Sequence, residues 1–311
     1  MSKSTSQKQR LPRPQPKTQR PDAARQEFPT VSGRWLLIAL GLSAVGAAFC
    51  VWGALCIMFW QGSWQLLYHP KSHVTRTPAS ADIAFDNVAF ATTDAGIAQL
   101  KGWWIPTAQS SRYTAVYLHG ADGNIGDSVS TLSQLHSAGL AILAFDYRGY
   151  GASQFVHPSE AHFLEDVESA LHYLIGTRHV APRSILLVGQ GLGANLALES
   201  AAANPEVAGV VLLDPAPEPT QVIYDDPRAH LVPAHWLVRD QWNVPAAVAA
   251  LRVPALWLLH SPSPSASRFP SETLKQEKSP QMVVWLANPS EEPRDTESAL
   301  ARWLDGLPAA R

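Results

Sequence analysis

Short apolar runs alternate with segments of helical spacing along residues 81–311. Six of the eight runs are continuously apolar over four to seven residues, which is typical of strands buried on both faces of a parallel sheet. The runs predict strands at 87–92, 100–105, 114–118, 140–145, 184–188, 207–213, 255–259 and 282–286. The segments between them predict helices at 127–138, 162–175, 194–203 and 296–304. This alternation predicts an α/β domain with a mostly parallel, doubly wound sheet and flanking helices.

One insertion breaks the alternation. Residues 215–253 are rich in Pro, Trp and His and separate two predicted strands, so they are interpreted as a small cap or lid. Residues 61–80 precede the alternating region and are interpreted as a linker, which assigns the domain to residues 81–311.

Residues 35–60 form a different apolar pattern, 26 residues long and without a charge. About 20 apolar residues suffice to cross roughly 30 Å of hydrocarbon, so the run predicts one transmembrane helix. A cleaved signal peptide carries a shorter apolar core, and a buried core helix of this length is unusual in a domain of this size. The charges before the run predict a single-pass protein with a cytoplasmic N-terminus and an extracytoplasmic C-terminal domain. In a bacterium the membrane would be the plasma or inner membrane.

Charge is distributed unevenly over the chain. The formal net charge of −2 combines eight Lys/Arg and two acids in residues 1–34 with 16 basic and 24 acidic residues in the remainder. The basic, proline-containing tail at 1–34 is interpreted as disordered. The acidic remainder argues against binding to nucleic acid, and no protein partner is identified. Both cysteines, Cys50 and Cys56, lie in the apolar run, which excludes a disulfide framework or a cysteine-ligated zinc site in the domain.

Three motifs follow predicted strands, at the edge of the sheet where α/β proteins bind ligands. In chain order they are His119-Gly-Ala-Asp-Gly-Asn124, Asp146-Tyr-Arg-Gly-Tyr-Gly-Ala-Ser153 and Gly189-Gln-Gly-Leu-Gly193. Their order and spacing resemble the α/β-hydrolase fold, over roughly residues 60–307, and in particular serine hydrolases anchored by one N-terminal membrane span. The resemblance implies that Asp146 and Arg148 hold their turn together.

The resemblance also implies a nucleophile in a tight Gly-x-Ser-x-Gly turn, with an oxyanion hole of backbone N–H groups. Gly191 occupies the nucleophile position of this chain, so the catalytic side chain is missing. Leu192 and Ala121 occupy the positions of the two backbone donors and retain their amides.

The other two triad positions also lack the expected residues. In the family, the catalytic acid lies in a loop that corresponds to residues 261–270 of this chain, and this segment has no carboxylate. The catalytic histidine lies in a loop that corresponds to residues 287–296, and this segment has no histidine. The last histidine of the chain is His260. The hypothesis is therefore a catalytically inactive hydrolase fold that binds a partner or a ligand, such as a lipid or acyl molecule, without a metal or cofactor. The candidate pocket residues are His119, Gly120, Gln190, Asp214 and His260, with Asp214 interpreted mainly as a turn residue.

Two alternatives stay open. An active esterase or acyl hydrolase could use rearranged catalytic residues. Gly189-x-Gly191-x-x-Ala194, followed by Asp214, also matches a dinucleotide-binding fingerprint. However, that fingerprint normally opens the first βαβ unit, whereas here at least four predicted strands precede it.

Overall fold

The computed structural model describes residues 32–92, 96–107, 112–260, 271–286 and 292–307. The chain divides into two compact units, 1–50 and 51–311. Every described residue of the first unit is exposed or half-exposed, and those from Gly33 onward are helical. The predicted disordered tail lies almost entirely outside the described residues.

The second unit is built around an eight-stranded sheet, which confirms the α/β fold class and all eight predicted strands to within two residues at each end. The eight strands are β2 (Asp86–Thr92), β3 (Ala98–Ile105), β4 (Thr114–Leu118), β6 (Ala141–Asp146), β7 (Ile185–Gln190), β8 (Gly209–Leu213), β9 (Ala255–His260) and β10 (Gln281–Leu286). Their order in the sheet is β10-β9-β8-β7-β4-β6-β3-β2, in which β3 pairs antiparallel with both β2 and β6 and every other neighbouring pair is parallel.

Helices cover both faces of the sheet, as a doubly wound arrangement requires. The four predicted helices appear as α2 (Val129–Ser137), α3 (Glu160–His172), α4 (Leu192–Ala203) and α9 (Glu292–Gly306). Side chains of α3 and α4 share one apolar cluster with one face of the sheet, and those of α2 and α9 share a second cluster with the other face. The α3 segment begins where the Ser159 hydroxyl accepts from the His162 N–H, and it continues past His172 as a π-helical turn to Thr177.

The predicted cap contains α5 (Gln221–Tyr224), α6 (Ala234–Leu237) and α7 (Val244–Ala250). Its side chains Ile223, Trp242 and Val248 are buried in the same cluster as α4. At the start of the cap, Asn195 of α4 donates to the Ala216 carbonyl at 2.7 Å and accepts from the Ala216 N–H at 3.0 Å. The cap is therefore packed onto the domain at several points.

Residues 61–80, interpreted above as a linker, belong to the packed domain. They contain a 3-10 turn at Ser63–Leu66 and the short strand β1 (His69–Pro70), which pairs with β5 (Asp122–Gly123). Leu67 and Tyr68 are buried in the main apolar cluster. The sequence pattern missed this because a two-residue strand has no measurable periodicity.

The remaining α-helices of the described residues are α1 (Gly33–Gly62) at the N-terminal side and α8 (Ser271–Leu274) before β10. A 34-residue helical stretch, Gly33–Leu66, contains an 18-residue window of mean hydropathy 2.1, none of it buried. By length and composition this is the one helix in the described part of the chain that is able to cross a membrane.

Candidate functional site

The turn between β7 and α4 contains Gly191, the predicted nucleophile position. Its backbone angles are φ 56° and ψ −123°, a region that residues with a side chain seldom adopt. The Gly191 N–H donates to the Leu213 carbonyl of β8 at 2.8 Å, which fixes the turn against the neighbouring strand. A Cβ atom at Gly191 would meet no heavy atom within 4 Å, so a small side chain would have space there.

The two flanking glycines are required by packing. A Cβ atom at Gly189 would overlap the Gly193 carbonyl, and one at Gly193 would overlap the carbonyl oxygens of Leu118 and His119. The turn therefore keeps the close strand–helix packing of a hydrolase nucleophile elbow although the nucleophile is missing.

The two predicted oxyanion-hole amides lie on adjacent loops. Leu192 is the first residue of α4, where a backbone N–H has no intrahelical acceptor. Ala121 follows β4, the strand beside β7, and a Cβ atom at Gly120 would lie 3.5 Å from the Gln190 carbonyl oxygen. The β4 loop therefore lies close to the elbow, and a Cβ atom at position 120 would make an ordinary van der Waals contact there.

Hydrogen bonds from two segments, β1 and the motif that begins at Asp146, hold the β4 loop. The Ala121 carbonyl accepts from the His69 N–H at 3.0 Å and from the Tyr150 hydroxyl at 2.8 Å. The Tyr147 hydroxyl donates to the His119 carbonyl at 2.9 Å. Asp146 accepts from the Ile125 N–H at 2.8 Å, so the motif after β6 supports the loop after β4.

Arg148 stabilises the β6 turn from its other side. Its Nε donates to Asp166 at 2.5 Å, its backbone N–H donates to the same carboxylate at 2.8 Å, and its Nη2 donates to Glu165 at 2.6 Å. Burial raises the pKa of Asp166 to about 6, and its hydrogen bonds to Arg148 act in the opposite direction. These contacts give Asp146 and Arg148 the structural role that the resemblance implies.

His119 is an interior residue, which corrects its assignment to the candidate pocket. Its side chain is 1% exposed and packs between the rings of Tyr147 and Tyr150, with centroids 4.2 and 5.0 Å away. Nδ1 lies 2.8 Å from the Gly120 carbonyl oxygen. Nε2 has no hydrogen-bond partner in the described part of the chain and lies 3.8 Å from Asp146 Oδ1.

The protonation states of these two buried groups follow from desolvation. Burial lowers the pKa of His119 to about 4, so the imidazole is neutral at pH 7 and Nδ1 donates to the Gly120 carbonyl. Burial raises the pKa of Asp146 to about 6, while hydrogen bonds from the Ile125 and Ala152 N–H groups partly oppose the shift. His119 therefore packs against the β4 loop from the protein interior and is not a base that faces the solvent.

Gln190 also projects away from the predicted pocket. Side chains alternate along a strand, so Gln190 of β7 shares a face with Leu186 and Val188, which pack in the cluster of α2 and α9. Its side-chain oxygen accepts from the Tyr117 hydroxyl at 2.9 Å and from Thr131 of α2 at 3.4 Å. These bonds are structural.

An Asp–His pair lies at the carboxyl ends of β8 and β9. The Asp214 carboxylate accepts from the His260 N–H at 2.6 Å, and its second oxygen contacts His260 Nδ1. Asp214 has a φ of 47°, and its N–H donates to the Leu258 carbonyl at 3.0 Å. Both side chains are more than a third accessible, at 43% and 35% for Asp214 and His260, so the pair is open to solvent.

Sequence reasoning named both residues but did not pair them. The signal was present, since each residue ends or directly follows an apolar run, and neighbouring parallel strands bring such positions together. In a dinucleotide-binding fingerprint, Asp214 would bind the ribose of the cofactor. Because its carboxylate is already bonded to His260, the dinucleotide-binding alternative is weakened.

The carboxyl ends of the strands carry a strained elbow with two backbone amides and, separately on β8 and β9, an acid–histidine pair. Position 191 has no nucleophilic side chain. The loop 261–270 and residues 287–291 of the second predicted loop lie outside the described residues, so the missing acid and base there remain sequence predictions. Among the described residues, no three His, Cys, Asp or Glu side chains are grouped to hold a metal ion.

Comparison with known families gives a match over more than half of the chain. A family profile described as serine aminopeptidase, S33, covers residues 109–282. This region begins before β4 and extends into β10, so it includes the elbow, the β4 loop and the Asp–His pair.

Three curated relatives match parts of the chain. The uncharacterized protein YfhR of Salmonella typhimurium is 28% identical over 205 residues, which cover 62% of this chain and 68% of YfhR. The uncharacterized protein Rv2307c of Mycobacterium tuberculosis is 31% identical over 173 residues, covering 55% and 60%. The alpha/beta hydrolase domain-containing protein 17C of Mus musculus is 32% identical over 126 residues, covering 40% and 39%.

Solved structures show the same fold. The esterase Pf2001 of Pyrococcus furiosus matches with a TM-score of 0.59 at 19% identity, over 78% of this chain and 98% of the esterase. The alpha/beta hydrolase GrgF of Penicillium sp. sh18 matches with a TM-score of 0.55 at 18% identity, over 72% and 97%. At these identities the likeness concerns the fold alone.

Proposed function

The chain belongs to the serine aminopeptidase S33 family of α/β hydrolases, and from that premise we propose that it is a catalytically silent, membrane-anchored member whose site binds without cleaving. The observation that carries the proposal is Gly191, which occupies the elbow in the strained backbone conformation of a nucleophile but has no side chain. Loss of one triad member typically lowers kcat by about 10⁴ to 10⁶.

The oxyanion-hole geometry supports a ligand-binding role. The amides of Ala121 and Leu192 remain on adjacent, well-braced loops, where they would donate to a carbonyl or carboxylate oxygen. A lipid or acyl molecule presents such an oxygen together with an apolar chain. This ligand class suits an anchored domain because it is abundant at a membrane.

Covalent labelling tests the silent site. The purified full-length protein, treated with a fluorophosphonate and with short p-nitrophenyl esters, is expected to show neither saturable labelling nor turnover above buffer. A known active serine hydrolase in the same experiment controls for the reagents. Saturable labelling that a competing ester blocks would refute catalytic silence.

The Asp214–His260 pair supports one second candidate, a hydrolase with rearranged catalytic residues. The contact of His260 Nδ1 with the Asp214 carboxylate is similar to the contact by which the acid of a catalytic triad orients its histidine. Ester turnover that Asp214→Asn and His260→Ala both abolish, without change in the far-UV circular dichroism, would favour this candidate over the silent site.

The anchoring part of the proposal rests on the apolar helix Gly33–Leu66 and the basic residues that precede it. We expect the full chain to resist alkaline carbonate extraction, whereas a cleaved signal sequence would release a shorter, soluble protein. A reporter fused to the C-terminus is expected to read as extracytoplasmic, and a cytoplasmic reading would overturn the proposed topology.

A further inference from the structure

The cap exposes an unusual concentration of large apolar side chains. Outside α1, six large apolar residues are exposed in the described part of the chain, and three of them lie between residues 222 and 236. They are Val222, Leu231 and Trp236, which are 49%, 62% and 89% exposed. Apolar side chains clustered on a surface segment mark a contact with a membrane or a partner, whereas scattered ones carry no such information.

This cap segment contacts the last turns of α1. Trp52 Nε1 donates to the Leu231 carbonyl at 3.0 Å, and the Arg239 guanidinium lies 4.9 Å from the centroid of the Trp60 ring. Phe59 is the one residue of α1 that is buried. The cap residues Leu231 and Arg239 therefore lie against residues 52–60 of α1.

A narrow apolar cleft lies where the two segments meet. Its volume is about 150 Å³, and its lining combines Leu55, Met58 and Phe59 of α1 with Arg228, Leu231 and Val232 of the cap, together with residues 62, 63 and 66. An apolar cavity of roughly this size accommodates a small hydrocarbon such as benzene. The cleft therefore has room for a few methylene groups and for little else.

The position of the cleft along the apolar helix matches the edge of a bilayer. Twenty residues counted from Trp35 rise about 30 Å, the thickness of the hydrocarbon, and end next to Leu55. Trp52 and Trp60 then lie at the lipid–water boundary, where indole rings are favoured.

Charge does not select a particular lipid headgroup. Between residues 221 and 239, two arginines are balanced by Asp225 and Asp226, and Arg228 is paired with Asp226 at 2.8 Å. A surface with this balance suits a zwitterionic phospholipid and does not require an anionic one.

We infer that the cap face formed by residues 222–236 rests on the bilayer crossed by α1 and that the cleft at Phe59 and Val232 takes one phospholipid acyl chain. The inference rests on the proposed membrane anchoring and adds a lipid-binding site that is separate from the Gly191 elbow. The apolar lining, the boundary position and the neutral charge balance all favour this occupant over a soluble protein.

Fluorescence quenching tests the docking. With Cys50 and Cys56 replaced by alanine, bimane is attached to the full chain at Leu231→Cys, Trp236→Cys or Glu206→Cys, in phosphatidylcholine nanodiscs. Glu206 is the control because it is exposed, lies outside the cap and shortly precedes the amino end of β8. Lipids with a nitroxide near the headgroup are expected to quench bimane strongly at positions 231 and 236 and weakly at position 206. Aqueous iodide is expected to quench bimane weakly at positions 231 and 236 and strongly at position 206.

The docking inference fails if iodide quenches the label at position 236 as strongly as the control while the protein resists carbonate extraction. If the protein instead fails to integrate into the membrane, the anchoring proposal fails first. The two outcomes are therefore distinguishable.

Photocrosslinking tests the acyl chain in the cleft. A phosphatidylcholine with a diazirine on its acyl chain is expected to label residues of the cleft, Met58 among them, as mapped by mass spectrometry. Val232→Trp should fill the cleft and remove this labelling, whereas Val222→Trp, a matched change on the same face outside the cleft, should leave it. Absence of cleft labelling in the wild type, or equal labelling in both variants, would overturn the site.

Discussion

Replacing Gly191 by serine separates the backbone cost of the elbow from its chemistry. The position has a φ of 56° and open space around an added Cβ atom, so the penalty comes from backbone strain and not from a clash. Such strain costs about 1–3 kcal/mol, and the loss of glycine freedom in the unfolded chain returns about 0.4–1 kcal/mol. We expect Gly191→Ser to lower the free energy of unfolding by about 1–2 kcal/mol. Each kcal/mol corresponds to a decrease in Tm of about 2–4 °C for a domain of this size.

Two glycines provide matched controls for thermal unfolding of the full chain in detergent. Gly176 has open space and no positive φ, so Gly176→Ser should cost nothing, whereas Gly139, with a φ of 84° and open space, should show a loss like that at Gly191. The strain argument is wrong if Gly191→Ser is as stable as Gly176→Ser.

The same variant tests the chemistry. His260 belongs to β9 and shares the face of Leu256 and Leu258, which pack in the cluster of α2 and α9, so we expect no histidine to serve a serine at 191. Gly191→Ser should therefore gain no fluorophosphonate labelling. Saturable labelling that disappears when His260→Ala is added would show that the Asp–His pair reaches the elbow, and would refute this expectation.

Three further substitutions test the support of the site. His119 has a folded-state pKa of about 4 against 6.5 in the unfolded chain, so the unfolded state binds more protons in that window and stability falls as pH falls. Denaturation from pH 4 to 6.5 should show the wild type gaining about 1.4 kcal/mol per pH unit relative to His119→Gln, and a constant difference would contradict this. Gly193→Ala should lower stability by about 1–3 kcal/mol because its Cβ overlaps the Leu118 carbonyl, and an unchanged midpoint in urea would show that the elbow relaxes freely. Arg148→Lys should lower the free energy of unfolding by about 1–3 kcal/mol, since lysine cannot bond to both Asp166 and Glu165. An unchanged midpoint in urea would show that these two ion pairs of Arg148 do not stabilise the fold.

Local patterns in the sequence were sufficient for the architecture. A continuous apolar run such as 114–118 reports burial on both faces of a strand, and the alternation of such runs with helical segments restricts the topology to a few arrangements. The motif around Gly191 was likewise readable, because its glycines are needed within one turn of chain.

Patterns of this kind do not report contacts between distant segments. Residues 61–80 looked like a linker, yet Tyr68 is buried and its hydroxyl lies 3.1 Å from Trp242 Nε1, 174 residues away. Only the packed chain shows such a partner, because neither residue carries a local mark of the other.

The sequence by itself determined the fold, the apolar helix and the absence of a nucleophile at Gly191, since each depends on residue type or on local periodicity. The tertiary structure decided which polar groups meet. It buries His119 beneath the β4 loop, pairs Asp214 with His260 across neighbouring strands, and sets the cap against the end of α1. Burial and pairing depend on the relative placement of segments far apart in the chain, which the hydrophobic pattern does not encode.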